Sequence, residues 1–149
     1  TNNKNNIPTM LDLAKICEAN SMLNTPPIFP IYVAGLTFRK ILDMGGIHEI
    51  EKSRDFKAQM LYNTIDNSNG FYHCKMKKQY RSKMNVPFEL KNKHLEDEFI
   101  EQAKAQGLIG LNGHHLVGHC RASIYNAMSI EGVTKLCNFM IEFMLHNLH

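Results

Sequence analysis

The run from Gly113 to Met128 (Gly-His-His-Leu-Val-Gly-His-Cys-Arg-Ala-Ser-Ile-Tyr-Asn-Ala-Met) gathers three histidines and one arginine beside two glycines. Arginine is scarce in this chain: Arg39, Arg54, Arg81 and Arg121 stand against thirteen lysines. Arg121 has small neighbours in Cys120, Ala122 and Ser123, which leave its guanidinium reachable. A planar fork of donors suits two-point recognition of a carboxylate. His114, His115 and His119 add imidazole donors for a second anionic group. Chemistry alone marks this run as a candidate site for a ligand with two acidic ends.

The residues leave other readings open. An arginine at a strand start also serves as a surface or ion-paired residue. His115 and His119 are four apart, with His114 and Cys120 adjacent, which is a metal-ligand spacing on a helix. Gly113, Val117 and Gly118 disfavour a helix there. On a strand His115, His119 and Arg121 would share a face, where Arg121 would repel a cation. No metal site is therefore expected.

Elements must position these residues. Thr25 suits a helix N-cap and Pro26 a first helical position. Apolar residues at helical spacing then run to Met44, before Gly45-Gly46. A second helix is expected over about 47–65, burying Ile50, Phe56, Met60, Leu61 and Ile65, and ending at the turn cluster Asp66 to Gly70. Met84, Val86, Phe88 and Leu90 alternate with Lys83, Asn85, Pro87 and Glu89, the pattern of a half-buried strand. Pro87 cannot donate to a ladder and points this strand to an edge or a bulge. A helix over about 93–106 follows. Residues 108–111 and 116–125 read as strands joined by an Asn112-Gly113 turn. The last helix, about 130–147, carries a stripe that includes Val133, Leu136, Cys137 and Met140. The order α-α-β-α-β-β-α predicts an α+β domain, with a short, mostly antiparallel sheet and helices packed on one face.

Composition narrows the function classes. The 149 residues fit one domain able to bury a core, with 44% hydrophobic residues and a formal charge of +3. No basic stripe with interleaved aromatics argues for nucleic acid. No apolar run approaches the roughly 20 residues of a membrane span. Cys17, Cys74, Cys120 and Cys137 lack metal-type or redox-type spacing, so a reduced, cytoplasmic protein is expected.

Three blocks carry a family resemblance: Asn24-Thr25-Pro26-Pro27, the run from Arg81 to Phe88 (Arg-Ser-Lys-Met-Asn-Val-Pro-Phe), and Gly113 to Ala127 followed by Glu131-Gly132-Val133. In this order they resemble the C-terminal part of the phosphoserine aminotransferases. These are pyridoxal-phosphate (PLP) enzymes of the fold-type-I aminotransferase family. The resemblance runs from about Ile7 to the C-terminus.

It implies that residues 24–149 form the family's C-terminal small domain, and that residues 1–23 are a remnant of the large-domain linker, prone to disorder or rearrangement. It implies amino-group transfer between glutamate and 3-phosphohydroxypyruvate, in serine biosynthesis, by a homodimeric parent. Arg121 would bind the substrate α-carboxylate, and His114 and His115 the substrate phosphate. Asn24 and Thr25 would reach the PLP phosphate of the other subunit.

The Schiff-base lysine, the ring-stacking aromatic and the aspartate on the ring nitrogen would lie upstream. The fragment alone is thus expected to hold no PLP and to be inactive, with no catalytic residue of its own. His115 stands where the family carries arginine, and His119 where it carries glycine. The alternative from another class is a free-standing, non-catalytic interaction or dimerisation module.

Overall fold

The computed structural model describes residues 7–114 and 118–148. Its contacts divide the chain into two units, Thr1–Asp43 and Met44–His149.

The first unit holds a single turn at Thr9–Leu11, α1 (Leu13–Glu18) and α2 (Ile28–Asp43). Asp12 caps α1, its Oδ1 accepting from Ala14 N at 3.1 Å. The expected Thr25 cap on α2 is not what forms. The helix starts at Ile28, with Ile31 N donating to the Pro27 carbonyl at 3.1 Å. Pro27 disfavours helical backbone at the residue before it, so the helix cannot begin at Pro26. No residue of α2 is buried.

The second unit contains α3 (Gly46–Asp66), β1 (Tyr72–His73), β2 (Asn85–Leu90), α4 (Glu96–Ala105), β3 (Asn112–His114), β4 (Gly118–Ser123) and α5 (Ile130–His146). The strands form an antiparallel sheet in the order β1-β2-β4-β3. This is the expected α+β arrangement. Val86, Phe88 and Leu90 of β2 and Cys120 and Ala122 of β4 point into one core with residues of α3, α4 and α5. The alternate residues Asn85, Pro87, Glu89, His119, Arg121 and Ser123 lie on the opposite face and are only partly buried. Phe99 is fully buried at the centre of the core, with ring centroids 5.9 Å from Phe88 and 5.1 Å from Phe143.

Three expectations change. β2 is an interior strand, not an edge. β1 pairs only with Glu89 and Leu90, however, so it stops short of Pro87. Arg121 lies opposite Pro87 but donates its N–H to Leu111 O, at 2.8 Å, on the β3 side. Pro87↔Arg121 is thus a non-hydrogen-bonded pair, and the missing proline donor deprives no partner.

Asn112 and Gly113 lie within β3, not in a turn, and neither takes the positive φ a two-residue hairpin turn requires. The pairs Asn112↔Cys120 and His114↔Gly118 bracket residues 115–117, which lie outside the described residues.

On α3 the buried stripe is Lys57, Ala58, Leu61, Tyr62 and Ile65. Phe56, expected inside, is exposed. One residue along a helix turns the side chain by about 100°, and the stripe's phase selects Lys57 over Phe56.

The end of α3 is tied to the segment entering β2. Arg81 donates to both Asp66 oxygens, at 2.8 and 2.7 Å, and its guanidinium lies 4.5 Å from the Tyr62 ring centroid. The Arg81 bonds hold the Asp66 carboxyl below its ordinary range. A folded-state value below the unfolded one stabilises the fold above the unfolded carboxylate range. That contribution disappears as pH falls through the folded value. Asp66→Asn should therefore lower stability near neutral pH by about 1 kcal/mol, and the gap should close in acid. Urea midpoints of both proteins across that range check it. A gap that persists undiminished at the acid end would refute the linkage.

Candidate functional site

The site is built on the face of the sheet opposite the core shared with α3, α4 and α5. Antiparallel register sets its residues in two columns, with Asn85 opposite Ser123 and Pro87 opposite Arg121. The next step along the columns brings Glu89 beside His119, with Glu89 Oε2 and His119 Nε2 3.2 Å apart. Arg121 is in the middle of this array, flanked two residues away on its own strand by His119 and Ser123.

Its surroundings differ on the two sides. Towards the end of β4, Asn85 accepts from Ser123 Oγ at 3.1 Å and donates Nδ2–H to Tyr125 Oη at 3.1 Å. This is an uncharged cluster. On the other side, Lys75 Nζ lies 2.9 Å from Glu89 Oε2, and His119 Nδ1 lies 3.3 Å from Glu96 Oε1. The Lys75 ammonium beside it holds the Glu89 carboxyl below its usual range, against the opposing effect of burial. Arg121 takes part in neither cluster. Its Nε is buried and has no hydrogen-bond partner among the described residues. A buried, unpaired N–H on a charged guanidinium is costly unless a ligand accepts from it. An anionic ligand with paired oxygens satisfies that donor and the charge together.

The other expected site residues have different standings. His114 lies in β3, next to β4 through its pairing with Gly118. His115 is outside the described residues. Asn24 and Thr25 are exposed and belong to the first unit, and Asn24 Nδ2 lies 3.0 Å from Met10 Sδ. The metal reading fails on geometry for two of its ligands. Cys120 is buried in the core while His119 is on the open face, so one ion cannot reach both. Burial also pushes the Cys120 thiol up to about 12, which makes it a poor thiolate donor. Among the described residues, no group of three His, Cys, Asp or Glu side chains is arranged to hold a metal.

The sequence reading missed Lys75 and Glu89 as neighbours of the arginine. The outward phase of Glu89 was visible in the alternation of β2. The arrival of Lys75 depends on β1, a strand of two residues with no periodicity to detect.

A model of the class-V aminotransferases matches residues 5–136 of the chain. The chain belongs to the class-V aminotransferase family. Among curated relatives, phosphoserine aminotransferase of Laribacter hongkongensis is 50% identical over 136 residues, which is 91% of this chain and 38% of the relative. Phosphoserine aminotransferase 1, chloroplastic, of Arabidopsis thaliana is also 50% identical over 136 residues, 91% of this chain and 32% of the relative.

Among solved structures, phosphoserine aminotransferase from Bacillus circulans subsp. alkalophilus superposes with a TM-score of 0.87 at 38% identity, covering 94% of this chain and 39% of that one. The PLP-bound phosphoserine aminotransferase from Trichomonas vaginalis gives 0.80 at 34% identity, covering 91% and 39%. The chain thus spans between about a third and two-fifths of these relatives' length. Among the described residues, no helix is long and apolar enough to cross a membrane.

Proposed function

We propose that this class-V chain is the substrate-carboxylate arm of a phosphoserine aminotransferase, which exchanges an amino group between glutamate and 3-phosphohydroxypyruvate. The observation that carries the reading is the buried Nε of Arg121, without a partner among the described residues, on the face of the sheet opposite the core. Arg121 binds and orients the α-carboxylate shared by the amino-acid and keto-acid substrates. Asn85, Ser123 and Tyr125 border it with neutral groups that do not compete for its charge. His114 and His115 are assigned to the substrate phosphate.

The reading takes residues 24–149 as the small domain and residues 1–23 as linker. The Schiff-base lysine is assigned to sequence outside these 149 residues. PLP, when bound, supplies the electron sink for the reaction. Asn24 and Thr25 fit its phosphate as neutral, solvent-facing donors and bring no counter-charge, so they are one edge of such a site and not the whole of it. A homodimer is part of the reading. In its own unit α2 leaves Ile28, Phe29, Ile31, Tyr32 and Phe38 exposed, surface of the kind a partner covers. A cytoplasmic location goes with the four free thiols.

The test is a transamination assay on the complete protein loaded with PLP. Glutamate and 3-phosphohydroxypyruvate should give 2-oxoglutarate and phosphoserine. No turnover with both substrates at saturation would overturn the proposal. His115 brings an imidazole where the family carries a guanidinium fork. His115→Arg should lower the KM for phosphoserine several-fold. An unchanged KM would remove His115 from the phosphate site.

A further inference from the structure

Arg121 has no described partner although a carboxylate lies within reach. Glu89 is diagonal to it across the β2–β4 pair, a spacing of about 7–8 Å between Cα atoms that long side chains bridge. Glu89 is turned to other groups instead. Its Oε2 is 2.9 Å from Lys75 Nζ and 3.2 Å from His119 Nε2. The other His119 nitrogen, Nδ1, lies 3.3 Å from Glu96 Oε1, and Lys75 Nζ also lies 3.3 Å from Nε2, so the ring is lodged among three charged groups.

His119 also adopts φ +67°, a left-handed conformation that a β-carbon makes unfavourable. The chain therefore accepts backbone strain to present an imidazole here.

Resting on the assignment of Arg121 to the substrate carboxylate, we propose that His119 and Lys75 are positioning residues that hold Glu89 away from Arg121 and keep its guanidinium open for the ligand. They touch no substrate. Their role is to occupy a carboxylate that would otherwise close an internal ion pair with Arg121. When that pair forms, the binding-competent fraction falls and apparent affinity falls with it.

The experiment uses the full chain, with the Arg121 Nε–Hε resonance as reporter and L-glutamate as probe. In the parent the resonance should be that of an unpaired guanidinium. In His119→Gly it should move to the position of a carboxylate-paired arginine, and the glutamate Kd should rise about fivefold, the effect expected of one partly exposed ion pair. Lys75→Gln changes an exposed side chain and should act in the same direction without risk to the fold. Adding Glu89→Gln to His119→Gly should return both the resonance and the Kd to parental values.

A resonance and a Kd unmoved in both single variants overturn the inference, as does a change that Glu89→Gln fails to reverse. The underlying assignment is tested apart from this. If Arg121→Ala leaves the glutamate Kd unchanged, the carboxylate assignment itself is wrong. If that variant loses binding while His119→Gly and Lys75→Gln are silent, only the positioning role is wrong.

Discussion

Replacing Arg121 with alanine in the complete protein should cut kcat/KM for glutamate by roughly two orders of magnitude. Removing a charged, two-point contact to a desolvated carboxylate costs on the order of 3 kcal/mol, and each 1.4 kcal/mol is about tenfold. The loss should be shared between KM and kcat, because the same contact binds the substrate and orients it. Arg121→Lys should recover only part of it, since an ammonium keeps the charge and loses the fork.

The structure adds a control to this expectation. Arg121 forms no ion pair among the described residues, and the core side of β4 is carried by Cys120 and Ala122. Thermal stability should therefore stay close to the parent's. Steady-state kinetics with glutamate, beside a melting curve, decide the matter. A kcat/KM within a few-fold of the parent would remove Arg121 from the site. A large fall in Tm would make any kinetic loss uninterpretable as binding.

What could be read from the amino-acid order divides along physical lines. The long helices were legible because apolar residues recur along them, as in the stretch through Val133, Leu136, Cys137 and Met140, which is buried as expected. β2 was legible because Val86, Phe88 and Leu90 alternate with polar residues. Phase within a helix was less so. Phe56 is apolar by type, yet Lys57 is the residue on the buried side, because packing against α5 and the sheet sets the rotation of α3 and composition does not. The Asn112-Gly113 pair misled because local turn preference gave way to pairing with Cys120 and its neighbours.

The same division holds for the site. Arg121 stood out by scarcity and small neighbours, properties of the local chain. The Glu89–His119–Glu96–Lys75 cluster did not, because it joins residues from β2, β4, α4 and the segment after β1. Only the register of the sheet brings them together.

Lys57 supports the second large expectation, which concerns stability. It is 1% exposed within α3, and its ammonium donates to the carbonyls of Tyr125 at 2.8 Å and Met128 at 2.7 Å. Those carbonyls belong to the turn joining β4 to α5, which Met128 N closes on Tyr125 O at 2.9 Å. Ser129, the next residue, caps α5 by accepting from Gly132 N at 3.1 Å. One buried amine thus fixes the turn from which the core helix starts. It also fixes the backbone of Tyr125, whose hydroxyl accepts from Asn85 beside Arg121.

Lys57→Met keeps most of the stem's volume and leaves two carbonyls without their donor. The cost should be about 2–3 kcal/mol, with relief from burying one charge already deducted. The pH dependence gives an independent check. Burial lowers the Lys57 pKa below its ordinary value. Between the folded and unfolded values the unfolded chain binds more protons, so stability attributable to Lys57 rises with pH. The gap between parent and Lys57→Met should therefore widen as pH is raised towards the ordinary lysine range. Urea unfolding near pH 7 and near pH 9.5 tests both statements. A variant as stable as the parent would show that water replaces the ammonium at these carbonyls. A gap that narrows with pH would show that the charge, once buried, is held by more than the two carbonyls.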